Sequence, residues 1–211
     1  MEKSINVLNK LASALDRRDE TPNQQLAEEI VTAADDKAVD TLIRNLANNN
    51  KAIQNDCIKV LYEVGERKPS MIAGHMNLFL SLLNHKYNRL QWGAMTALNC
   101  IANVNPQGIY NNLVQIADAA DRGSVITRDH AVNILVQLMG IPEYTANAFG
   151  LLIELLLKSP ANQLPMYAEK ALPSTPDGYK ADLIKALRSR LTDIEKASKR
   201  ARVEKVIKKL I

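Results

Sequence analysis

A spacing of 37 residues runs through the middle of this chain and limits its fold more than any other feature. Ile53, Cys57, Val60, Leu61 and Val64 recur as Leu90, Ala94, Ala97, Leu98 and Ile101, and again as Thr127, Ala131, Ile134, Leu135 and Leu138. The offsets within each set are 0, 4, 7, 8 and 11, which is one face of an α-helix. Leu164, Ala168, Ala171 and Leu172 continue the series until Pro173 stops it. A second series lies between these helices: Val39, Leu42, Ile43 and Leu46 return as Met76, Phe79, Leu80 and Leu83, then as Leu113, Ile116, Ala117 and Ala120. With one residue deleted near Pro142 it continues as Phe149, Leu152, Ile153 and Leu156. The unit is therefore a pair of amphipathic helices, A then B. No pair can bury its apolar stripe alone, so each must lean on its neighbours.

This frame predicts A helices over 36–48, 70–84, 107–121, 143–157 and 177–190, and B helices over 51–66, 88–104, 125–139, 161–172 and 193–210. An extra pair is expected over 2–17 and 22–34, with Thr21 as N-cap and Pro22 in the first helical turn. Residues 1–211 read as one helical-repeat domain, with a capping pair at 1–34, four repeats over 36–172 and a basic capping pair at 175–211. Eight glycines and eight prolines are too few for a β-sandwich with a turn every few residues. Aromatic residues make up only 4%, so the interior must come from Leu, Ile, Val, Ala and Met in thin layers.

Residues 90–101, Leu-Gln-Trp-Gly-Ala-Met-Thr-Ala-Leu-Asn-Cys-Ile, resemble the second helix of a HEAT unit, and residues 53–64 fit the same pattern more loosely. The chain thus resembles the HEAT and armadillo families of helical repeats over nearly all its length. That resemblance implies an all-α, right-handed α-α superhelix of about six pairs without β-sheet. It also implies a concave face lined by B helices, where offsets 2, 6 and 9 from each apolar start point outward. Those offsets select Asn55, Lys59 and Tyr62, then Trp92, Thr96 and Asn99, then Asp129, Asn133 and Val136. Trp and Tyr supply stacking area and Asn amides pair with peptide backbone, so the expected partner is a protein or peptide segment. Armadillo transport receptors carry Asn four residues after Trp. Here Thr96 stands in that place, so their nuclear-signal function is not carried over.

Charge is unevenly spread. Residues 180–211 hold eleven Lys and Arg against four Asp and Glu, whereas residues 1–179 hold sixteen against nineteen. Lys196, Lys199, Arg200, Arg202, Lys205, Lys208 and Lys209 are candidates for contact with nucleic acid, an anionic membrane surface or an acidic protein. The alternative is the solvated face of a terminal helix that buries Ile194, Ala197, Ala201, Val206, Ile207 and Leu210.

Catalytic patterns are absent. His75, His85 and His130 form no H-E-x-x-H or His-Glu arrangement, and the glycines make no phosphate loop. No metal, cofactor or small-molecule substrate is expected. Cys57 and Cys100 sit in apolar helical runs and read as buried thiols of a reducing, cytoplasmic setting. The Phe149–Leu157 stretch is interrupted by Glu154 and is too short to span a bilayer. The expected function is a non-enzymatic scaffold that binds a peptide or helical segment. A nucleic-acid-associated protein using the basic C-terminal helices is the alternative. A HEAT-like alkylpurine DNA glycosylase using Trp92, Arg128 and Asp129 ranks last, because the expected Asp one turn after Trp92 and a second aromatic are missing.

Overall fold

The computed structural model describes residues 6–211, which form thirteen α-helices and four short 3-10 turns, with no strand among the described residues. The chain divides into two compact units, Met1–Thr127 and Arg128–Ile211. The first contains α1 (Thr21–Ala33), α2 (Asp36–Asn45), α3 (Lys51–Arg67), α4 (Ser70–Ala73), α5 (Met76–Leu82), α6 (Asn88–Ile101), α7 (Pro106–Asn111) and α8 (Leu113–Arg122). The division falls in the first turn of α9 (Val125–Met139). The second unit continues with α10 (Pro142–Lys158), α11 (Leu164–Ala171), α12 (Asp177–Ser189) and α13 (Ala197–Leu210).

In the first unit α3 is the central element. It packs against α1 and α6, its counterparts in the flanking pairs, and against α2, its own partner, while α5 packs on α6. Nine consecutive residues of α3, Cys57 to Gly65, are buried, so neighbours enclose this helix on every side. In the second unit α11 packs on α13, α10 on α12, and α12 on α13. Each unit is thus a layer of A helices backed by a layer of B helices.

The repeat positions are the core. Cys57, Val60, Leu61 and Val64 of α3 and Leu90, Ala94, Ala97, Leu98 and Ile101 of α6 are fully buried. Helices α3 and α6 touch so closely that a Cβ added to Gly93 would lie 2.5 Å from Cγ1 of the buried Ile58. Side chains start the helices where the sequence supplies them: the carboxylate of Asp35 accepts from the Ala38 N–H, and the amide oxygens of Asn50 and Asn105 accept from the N–H groups of Ala52 and Gly108.

Several expected elements differ. The A helices expected at 70–84 and 107–121 are each broken in two, at Gly74–His75 and at Asn112. Glycine weakens a helix, and the Asn112 side chain donates to the Gly108 carbonyl and so competes with the backbone ladder. The breaks fall at matching repeat positions. The helix expected over 2–17 lies partly outside the described residues, and the described part forms two 3-10 turns, Leu8–Lys10 and Ala12–Leu15. Its N–H groups are taken by side chains: Asn23 accepts from Ala12 at 3.0 Å and Asp56 from Ser13 at 2.8 Å, while the Asn23 amide donates to Asp56 at 2.7 Å. Thr21 is the first residue of α1, not its cap; its N–H is accepted by Asp19. Helix α13 begins at Ala197 and buries Val203, Val206, Ile207 and Leu210, whereas Ala197 and Ala201 face solvent. In the second unit Arg190 donates to the carbonyls of Leu156, Leu157 and Ser159, closing the C-terminal end of α10.

Gly93→Ala gains helix propensity of about 1 kcal/mol yet is expected to lose about 1–3 kcal/mol net, because Ile58 is β-branched and has no free space. Urea unfolding of the two proteins measures this directly.

Candidate functional site

Lys59 of α3 is only 5% exposed. A buried ammonium needs partners, and it has two: Glu20 at 2.7 Å, from the loop before α1, and Glu63 at 2.6 Å, one turn along α3. Burial pulls the Lys59 pKa down, but the hydrogen bonds to Glu20 and Glu63 outweigh it and the net shift is upward. Glu63 is also buried and takes a second cation, Arg67, at 2.6 Å. Burial pushes its carboxyl up; Lys59 and Arg67 more than reverse that and hold it below the usual value. Glu66 is not so compensated: burial and then the charge of Glu63 raise it.

The aromatic residues sit over this ion network. Tyr62 and Trp92 pack tilted, with ring centroids 5.9 Å apart. The Lys59 ammonium lies 4.8 Å from the Tyr62 ring centroid, and the Arg89 guanidinium 4.2 Å from that of Trp92. Arg89 reaches Glu20 at 3.4 Å, so one carboxylate holds both cations. Trp92 is half-buried. Thr96 is buried and donates to the Trp92 carbonyl at 2.9 Å. Asn99 is half-buried two turns along from Trp92, and Asn55 accepts from the Tyr87 hydroxyl at 2.6 Å.

Six of the nine face positions, Asn55, Lys59, Tyr62, Trp92, Thr96 and Asn99, thus belong to the first unit and Val136 to the second, and in the first Tyr62, Trp92 and Lys59 come together in one cluster. Lys59, Tyr62 and Thr96, expected to face outward, are all closed in and offer no open surface, so Trp92 is the aromatic residue of the pair that remains part-exposed. Asp129 and Asn133 belong to the second unit, where Asp129 accepts from the Tyr167 hydroxyl at 2.6 Å. Glu20, Glu63 and Arg89 escaped the sequence reading. The spacing of Lys59, Glu63 and Arg67 was available as an i, i+4 ladder, and Arg89 stands one turn before Trp92, but nothing in the repeat frame points to Glu20.

The basic residues separate into tied and untied groups. Arg202 grips Glu169 with two bonds of 2.8 and 2.6 Å, Lys199 donates to Asn162, and Arg200 donates to the Ile194 carbonyl. Lys196, Lys205, Lys208 and Lys209 are exposed, and among the described residues no salt bridge within 4.0 Å holds them, although the charge of Lys205 helps to lower the Glu169 carboxyl.

No group of three metal-ligating side chains exists among the described residues. His85 accepts from the Tyr87 N–H, and His75 lies 3.6 Å from Asp40. Burial pushes the thiols of Cys57 and Cys100 up to about 12, so neither is an ionised nucleophile near neutral pH. Among the described residues no helix is long and apolar enough to cross a membrane.

Compared with solved structures, the chain aligns over 98% of its length with 97% of an engineered protein, at 17% identity and a TM-score of 0.61. It aligns over 90% of its length with 94% of a structure of computationally designed armadillo repeat proteins for modular peptide recognition, at 14% identity and a TM-score of 0.60. The fold is that of an armadillo-type helical repeat. No family model matches the chain, and neither does any curated protein. Helical repeats of this kind position residues by helix register, which is how Tyr62 and Trp92 come to share an edge.

Glu63→Gln is expected to cost about 2 kcal/mol near neutral pH, less than a fully orphaned charge because Glu20 remains on Lys59. A carboxyl held below its unfolded value of 4.5 contributes its full stability above that pH and loses it as pH falls through the lower, folded value. The gap between wild type and Glu63→Gln should therefore close as pH drops below about 4.5 in urea titrations at stepped pH.

Proposed function

We propose that this chain is a non-enzymatic, cytoplasmic interaction module whose first unit holds an extended segment of another protein along the edge made by α3 and α6. The observation that carries this reading is the half-buried Trp92, packed against Tyr62 and covered by Arg89, which gives a large contact area already fixed in place. Pre-ordered aromatic side chains favour binding because little rotamer entropy remains to be lost. Asn55 and Asn99 stand on the same faces as Tyr62 and Trp92 and bring amides suited to a peptide main chain. Lys59 and Thr96 serve as the floor that holds the aromatic pair. Asp129 and Asn133 are the corresponding positions of α9 in the second unit. The designed armadillo proteins of similar fold, made for modular peptide recognition, support a peptide as the ligand class. Two free cysteines with raised pKa suit a reducing compartment.

Peptides selected from a random library against the whole chain should weaken at least tenfold on Trp92→Ala, measured by fluorescence anisotropy, with the circular dichroism spectrum unchanged. Selected peptides that bind wild type and a folded Trp92→Ala protein equally well would remove this edge as the site.

A further inference from the structure

We infer that the outward side of α13 binds the phosphodiester backbone of double-stranded nucleic acid without reading its sequence. The second unit holds fourteen Lys and Arg against nine Asp and Glu, while the first is nearly balanced at thirteen against fourteen. Within the second unit the excess is concentrated on α13, where Lys205, Lys208 and Lys209 are exposed and Glu204 is the one acidic residue of the helix.

Helix stability alone does not explain this distribution. Cations in the last turn complement the helix dipole, which accounts for Lys208 and Lys209. The first turn is the wrong end for positive charge, and although Lys199 and Arg200 there are tied to Asn162 and the Ile194 carbonyl and Glu195 lies just before the helix, Lys196 at the N-cap has no such task.

The surroundings narrow the anion. Insertion into a lipid surface requires an exposed apolar face, but Val203, Val206, Ile207 and Leu210 are buried in the unit. A folded protein partner needs an aromatic or large apolar anchor, but the exposed positions between the cations are Ala197, Ser198, Ala201 and Glu204, and the one exposed large apolar side chain nearby is Ile211, beyond the last turn. Single-stranded nucleic acid is held largely by bases stacking on aromatic side chains, and α13 contains none. What remains is a ligand whose own surface is a regular array of charge. From Lys205 to Lys209 the helix rises about 6 Å, a length of duplex axis that presents about three to four phosphates. Three ammonium groups on flexible stems suit phosphates as point charges and carry no base-reading geometry.

The test uses the whole chain and a labelled duplex DNA of random sequence, followed by fluorescence anisotropy at about 50 mM salt and upward. The expected result is saturable binding whose logarithm falls with the logarithm of salt concentration at a slope of about −2.7, as three released counterions require. Combined Lys205→Glu, Lys208→Glu and Lys209→Glu should reduce affinity at least tenfold and flatten the slope, with circular dichroism unchanged. The neutral set Lys205→Gln, Lys208→Gln and Lys209→Gln should lose less, and serves in place of the reversal if that protein fails to fold. No duplex binding at low salt would overturn the proposal, and so would binding untouched by both sets of substitutions. Equal or tighter binding to a single strand of the same length, to polyglutamate or to phosphatidylserine vesicles would overturn it as well.

Discussion

Much of the first unit depends on how closely α3 and α6 approach each other. Gly93 leaves no Cβ in the space where Ile58 sits, and Ala94 and Ala97 keep the contact thin. The closeness has a cost in charge. With α1, α2 and α6 all packed against it, α3 has no face that is wholly free, and Lys59 is carried into the interior. A buried ammonium without partners would destabilise the unit by several kcal/mol, so Glu63 and Glu20 become structural necessities. Their positions then fix where Arg89 and Lys59 lie, and those cations cover the rings of Trp92 and Tyr62. Tight packing, ion network and aromatic edge are successive consequences of one contact.

The helix pairs were legible because a 37-residue period acts on many residues at once. A chance pattern would not place Cys57, Ala94, Ala131 and Ala168 all in the buried register. Departures came where one side chain outweighs the period. Asn112 returns its amide to a backbone carbonyl and splits a helix that the apolar spacing leaves whole. Asp56 reaches across 43 residues to take the Ser13 N–H, and with Asn23 it turns an expected helix into 3-10 turns. Such long-range capping has no local signature. The same holds for the aromatic edge: register placed Tyr62 and Trp92 side by side, but it also placed Tyr62, Lys59 and Thr96 on open surface where all three are buried, because register gives direction and not depth.

The two units use charge differently. In the first, Glu20 and Glu63 compensate a buried lysine, while Lys10–Glu29 and Arg17–Asp19 pair at the surface. In the second, Arg190 and Arg200 spend their guanidinium groups on backbone carbonyls at element ends, and Arg202 is matched to Glu169. Lys205, Lys208 and Lys209 of α13 are left over after those tasks. A net charge of +4 for the whole chain conceals this division.

Glu20 also bears on cooperativity. It belongs to the first pair of helices, yet it holds Lys59 from the second pair and Arg89 from the third. Stacked repeats are ordinarily treated as a row in which each member feels only the two beside it. A carboxylate that spans three members breaks that rule at this end of the row. Truncation from the N-terminus would then remove more than one interface: it would leave a buried lysine short of a partner and free the arginine over Trp92, so unfolding of the first three pairs should be a single event.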